Sequence, residues 1–79
     1  MSDKLLSRIT IDPNLCFGKP TIRGLRYPVF SMLEYLAGGD TIEDLLELFP
    51  DLEREDFLAC LAYASLTTNR ARTEIPIDA

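Results

Sequence analysis

The chain has 79 residues, 47% of them hydrophobic and 27% charged, with a formal net charge of −5. This composition suits one small globular domain and excludes a disordered or membrane-spanning chain. There is no histidine, and the two cysteines, Cys16 and Cys60, lack a C-x-x-C spacing, which argues against a metal centre.

The charge is divided unevenly. Residues 1–39 hold five cations against three carboxylates, whereas residues 40–79 hold three cations against ten carboxylates. A polyanion would therefore be met by the first half. No apolar run approaches the ~18 residues of a membrane-spanning helix. Residues 1–6 lack the apolar core of a signal peptide, so a cytoplasmic location is expected. In that reducing compartment both thiols should be free, Cys60 in the core and Cys16 in a loop.

Residues 8–12 alternate, with Ile9 and Ile11 on one face, and predict a short strand that stops at Pro13-Asn14. A loop follows, in which Phe17 is expected to cover the edge of the core. Residues 18–29 then gather two glycines, two prolines and three cations. Each proline pushes the residue before it out of the helical region, so Lys19 and Tyr27 should be extended. Gly24 can supply the positive φ of a tight turn, which predicts a hairpin with Ile22-Arg23 and Arg26-Tyr27 as its arms.

Beyond Pro28 the apolar spacing becomes helical. Val29, Met32, Leu33, Leu36 and Ala37 predict a helix over 29–37 that stops at Gly38-Gly39. Thr41 with Asp44 three residues on forms a capping-box pattern for a helix over 42–48, and Pro50 prevents its continuation. Phe57, Leu58, Leu61, Ala64 and Ser65 predict the buried face of a third helix over 54–68, for which Glu53 is a poor cap. Helices joined by the four residues 49–52 make a helix-turn-helix pattern. The expected core is Ile9, Ile11, Ile22, Val29, Leu33, Leu36, Ile42, Leu45, Leu46, Leu58 and Leu61. The expected class is α+β, mainly α: a small three-helix helix-turn-helix domain preceded by a short strand and a β-hairpin. Residues 1–66 form that domain and residues 67–79 a C-terminal tail.

The segment Gly18-Lys19-Pro20-Thr21-Ile22-Arg23-Gly24-Leu25-Arg26-Tyr27-Pro28-Val29 resembles the signature of the bacterial family called domain of unknown function 433, which runs Gly-Lys-Pro-(Val/Thr)-Ile-Arg-Gly-Thr-Arg-(Ile)-Pro-Val. The likeness extends to Ala37-Gly38, Phe49-Pro50 and Glu55-Asp56-Phe57, and covers residues 9–66. The chain departs from the family at Leu25, where Thr is favoured, and at Glu53, where Ser or Thr is favoured. The resemblance implies a helix-turn-helix protein, and for some members a VapB-type antitoxin encoded beside a PIN-like toxin.

Catalysis is not expected. The chain has no histidine, no Ser or Cys with an evident base and no P-loop spacing. No cofactor is expected either, and the carboxylates Glu43, Asp44 and Glu47 read as a solvated helix face rather than a cation site. Binding is the expected role, with two surfaces. Lys19, Arg23 and Arg26, with Arg8 alongside, could meet DNA phosphates as a wing would; alternatively, Arg23 or Arg26 pairs with a helix carboxylate such as Glu34 and fastens the hairpin. The second and third helices open with eight carboxylates against Arg54, which disfavours their own approach to DNA. The tail, with Arg70, Arg72, Ile75 and Ile77, is expected to bind a partner, by resemblance a PIN-like toxin. A homodimer is expected, because strand 8–12 is a free edge and the core is small. The alternative is an interaction module or structural dimer that does not bind DNA.

Overall fold

The computed structural model describes residues 3–70, which form four helices and one small antiparallel sheet. Helix α1 is Asp3–Leu6 and strand β1 is Ile9–Thr10. A 3₁₀ turn, Cys16–Gly18, leads to strand β2, Thr21–Ile22. Helices α2 (Val29–Ala37), α3 (Ile42–Leu48) and α4 (Arg54–Arg70) complete the chain. The molecule is thus mainly α with a minor β element, and α1, α2, α3 and β1 all pack against α4.

Local chemistry sets the helix ends. Thr41 Oγ1 accepts from the Asp44 N–H at 3.1 Å while Asp44 accepts from the Thr41 N–H at 3.0 Å, a complete capping box. At the end of α2 the Gly39 N–H donates to Leu36 and the Asp40 N–H to Tyr35, with Gly39 at φ 107°. This is a Schellman motif, and its positive φ is why a glycine stands there.

The sheet differs from expectation. Ile9 pairs with Ile22 and Thr10 with Thr21, so the strand expected over 8–12 shortens to two residues and uses an edge on β2. Arg23 (φ 48°) and Gly24 (φ 69°) form the turn, closed by the Leu25 N–H donating to Ile22 at 2.8 Å. Positive φ at both central residues is the type I′ pattern of a two-residue hairpin. Arg23 is therefore a turn residue, not a strand residue. The returning arm is held by the Ile22 N–H donating to Tyr27 and by a bridge between Thr21 and Pro28.

The core gathers Ile22, Val29, Met32, Leu45, Leu52, Phe57 and Cys60. Of the expected core, Ile11 and Leu61 are instead 63% and 45% exposed. Ile11 lies past the end of β1, where the alternating pattern no longer governs the backbone. Leu61 fails because α4 is rotated relative to the apolar reading: Asp56, Phe57, Ala59 and Cys60 all face inward. Phe17 does not cover the core edge but is fully exposed. It sits at φ 58° between Cys16 at 50° and Gly18 at 78°, a left-handed turn closed by bonds from the Gly18 N–H to Leu15 and the Lys19 N–H to Cys16. Left-handed backbone costs roughly 1–2 kcal/mol per residue bearing a Cβ, so the turn stores strain while displaying an aromatic ring.

Candidate interaction surface

Asp56 organises the hairpin side of the molecule. It is the third residue of α4, fully buried, and its carboxylate accepts four hydrogen bonds. Arg23 donates two, Nε to Oδ1 at 3.0 Å and Nη2 to Oδ2 at 2.9 Å. Arg8 Nη1 donates to Oδ1 at 3.0 Å and the Glu53 N–H to Oδ2 at 2.8 Å. Arg23 Nη2 also reaches the Asp51 carbonyl at 3.0 Å, and Arg8 Nη1 reaches Glu53 at 2.7 Å. Burial pushes the Asp56 carboxyl up, but Arg23, the Glu53 N–H and Arg8 outweigh it and hold the group below the usual carboxylate range. Both guanidiniums are correspondingly raised by these bonds. Glu53 is thus no side-chain cap. Asp56 returns to its N–H instead, and the Glu53 carboxylate serves Arg8.

The four cations expected to meet phosphate consequently divide. Arg8 and Arg23 converge on Asp56, so the hairpin is fastened to a helix carboxylate, though on Asp56 rather than Glu34. Lys19 places its ammonium 4.8 Å from the centre of the Phe30 ring. Arg26 is exposed and makes no ion pair among the described residues. Arg70 ends α4; its side chain, with Arg72, Ile75 and Ile77, lies outside the described residues.

Two features bear on binding. The first, legible in the sequence as the eight carboxylates that open the second and third helices, is an acidic surface: Asp40, Glu43, Asp44, Glu47, Asp51, Glu53 and Glu55 are exposed along α3 and the start of α4, and Asp56 alone of the eight is buried. Arg54 is the cation among them, and it is paired with Glu43 at 2.7 Å. The bond of the Glu43 carboxylate to its own N–H and that from Arg54 hold Glu43 below its ordinary value. Tyr27 Oη donates to both Asp51 oxygens at 2.8 and 2.9 Å, tying the hairpin to the α3–α4 connection. The second feature is an apolar groove of about 450 Å³ between α2 and the C-terminal half of α4. Val29, Phe30, Leu33, Tyr63 and Ala64 line it, with Lys19 at its rim. Its only signal in the sequence is the spacing of Phe30 and Leu33 on one helix and Tyr63 and Ala64 on another; nothing local shows that the two stripes face one groove.

No group of three or more metal-ligating side chains comes together among the described residues. Among them, no helix is long and apolar enough to cross a membrane.

Comparison with known proteins places this architecture. Residues 9–64 match the family described as protein of unknown function (DUF433). The uncharacterized protein y4eO of Sinorhizobium fredii is 31% identical over 67 residues, which are 85% of this chain; the chain spans 30% of that relative's length. The crystal structure of a DUF433 member protein from Anabaena variabilis superimposes with a TM-score of 0.74 at 26% identity, covering 89% of this chain and 80% of that one.

Proposed function

The chain belongs to the DUF433 family, and we propose that within it the protein acts as an antitoxin-like interaction module that docks on a PIN-like toxin rather than as an enzyme. The observation that carries this reading is the carboxylate face of α3 and α4. Of its seven exposed acids, Glu43 is paired with Arg54 and Glu53 with Arg8, which leaves Asp40, Asp44, Glu47, Asp51 and Glu55 without an ion pair among the described residues. Such a face repels phosphate and favours encounter with a cationic protein surface, as the RNA-binding side of a nuclease toxin would be. The exposed Phe17 adds an aromatic anchor of the kind that concentrates binding energy at protein interfaces.

Co-expression with a PIN-like protein encoded beside this gene, followed by affinity measurement, tests the proposal. Glu47→Lys and Asp40→Lys should each weaken the complex about tenfold, mostly through slower association, and added salt should weaken it further. A complex indifferent to salt and to both substitutions would defeat the reading.

Promoter DNA is the second reading, favoured by one observation, the exposed Arg26 without an ion pair among the described residues. In that case Lys19 and Arg26 are the phosphate contacts, and Arg26→Ala lowers the salt slope of binding by about one. Homodimerisation belongs to the same proposal, since exposed Ile11 and Phe17 are apolar surface a second copy could cover; sedimentation at micromolar concentration tests it.

A further inference from the structure

The Cys16–Gly18 turn displays a fully exposed aromatic ring, and two residues further along the chain Lys19 stands at the rim of an apolar groove. We infer, resting on the homodimer reading, that two copies of this chain associate by a reciprocal exchange. Phe17 of each copy seats in the groove between α2 and α4 of the other.

The Phe17 ring contributes nothing to its own core. It is fully exposed, although Cys16, Phe17 and Gly18 stand at φ 50°, 58° and 78°. Left-handed backbone disfavours a bulky side chain, and Asn would suit the position better. Strain of this kind clusters where a displayed group is used in binding. The display is also firm. The Leu15 N–H donates to Asp12 at 3.0 Å, the Gly18 N–H to Leu15 at 3.0 Å and the Lys19 N–H to Cys16 at 3.1 Å. A ring held in place before binding loses little freedom when it docks.

The groove matches such a ring. Its volume of about 450 Å³ is ample for one phenyl group, and Phe30, Leu33, Tyr63 and Ala64 line it. Phe30 and Tyr63 supply aromatic partners, for which a third ring has an attraction beyond the area it buries. Because Phe17 and the groove rim are so close along the chain, one two-fold axis can serve both contacts, and the interface closes at two copies.

Charge fits the same arrangement. The Lys19 ammonium stands 4.8 Å from the centre of the Phe30 ring. Asp12 is exposed where the Phe17 loop begins, accepting from the Asn14 N–H at 2.9 Å. Neither residue is in an ion pair among the described residues. The exchange brings Asp12 of one copy toward Lys19 of the other, a pairing that fixes register more than affinity. Phe17 is buried in such a dimer, so a toxin that takes it as an anchor must first separate the two copies.

Sedimentation of the full chain across the micromolar range tests the exchange, using two variants and their mixture. An interface centred on two such rings belongs to the small class below about 1,200 Å², so a reversible dimer is expected. Phe17→Asn should weaken it about tenfold or more while leaving thermal stability unchanged or higher, since Asn tolerates left-handed backbone. Phe30→Asp should weaken it similarly from the groove side; the position is half-exposed and in the first turn of α2, where a carboxylate is favourable. Thr67→Glu, at an exposed position of the groove, takes its place if Phe30→Asp loses helical ellipticity. Each variant keeps the half that the other lacks. An equimolar mixture should therefore regain one of the two contacts and dimerise more tightly than either variant alone. A wild-type chain that stays monomeric removes the homodimer and the exchange together. A dimer indifferent to Phe17→Asn, or a mixture no tighter than its components, overturns the exchange while the homodimer stands. Species that grow beyond two copies overturn the closed two-fold contact.

Discussion

Replacing Asp56 by alanine is the sharpest perturbation of the architecture. The carboxylate is fully buried and accepts two bonds from Arg23, one from Arg8 and one from the Glu53 N–H, at 2.8 to 3.0 Å. Hydrogen bonds to charged groups contribute about 1.5–3 kcal/mol each, but the buried carboxylate also carries a desolvation cost that vanishes with it. Removing one partner of a buried ion pair typically costs about 3–5 kcal/mol. The Arg23 side chain is 37% exposed and can rehydrate once freed, which points to the lower end, about 3 kcal/mol. A domain of this size is worth roughly 4–12 kcal/mol in total, so the loss is a quarter or more of its stability.

Urea unfolding followed by helical ellipticity measures the loss. The Arg23–Asp56 double-mutant cycle then separates coupling from independent effects. A loss below ~1 kcal/mol, or strictly additive single effects, would refute the idea that this cluster holds the hairpin to α4. The same group predicts a pH dependence. Its folded value lies below that of an unfolded aspartate, near 3.9. Its stabilisation is therefore present above that pH and lost as pH falls through the lower folded value. Asp56→Asn should flatten the decline in that window without abolishing it. Asp44 is also held low, by the Thr41 N–H and hydroxyl, and Glu43 by its own N–H and Arg54.

Three further outcomes are expected. Phe57→Ala should cost about 3–5 kcal/mol in urea titrations, whereas Leu61→Ala, on the exposed side of α4, should cost less than ~1; similar losses would mean the wrong face of α4 had been placed inward. The Tyr27 phenol is raised by its bond to Asp51, helped by partial burial, so the stability it contributes is complete below the unfolded tyrosine value near 10 and fades as pH climbs through the higher folded one. A tyrosinate absorbance titration should show Tyr27 ionising above the ordinary tyrosine value, and Asp51→Asn should move it back down. Burial, with some help from the Asp56 charge, pushes the Cys60 thiol up to about 12. A disulfide reagent at mild alkaline pH should therefore modify Cys16 in the native protein and reach Cys60 only after unfolding.

What could be read from the sequence was what depends on near neighbours. The spans 29–37 and 42–48 coincide with α2 and α3, because the Thr41–Asp44 box and the Gly38-Gly39 stop each act within a few residues. The Gly24 turn was legible for the same reason, although Arg rather than Asn before the glycine concealed that Arg23 shares the left-handed turn. Helix α1 escaped notice. A four-residue helix has no periodicity of its own, and isolated helices of this length do not persist without packing, here against α4.

The tertiary structure decided the side on which α4 turns inward and the fate of the cations. Leu58, Leu61 and Ser65 have as good a helical spacing as the stripe that is buried. The buried stripe looks less apolar because it contains Asp56, which pattern reading assigns to solvent. A carboxylate can occupy that place only because two guanidiniums meet it there, from 33 and 48 residues away along the chain. No pattern near Arg23 or Arg8 refers to so distant a partner. Whether those cations faced phosphate or an internal carboxylate was therefore set by the packing of the hairpin on α4, since charge pairing depends on distance in space and not on separation in sequence.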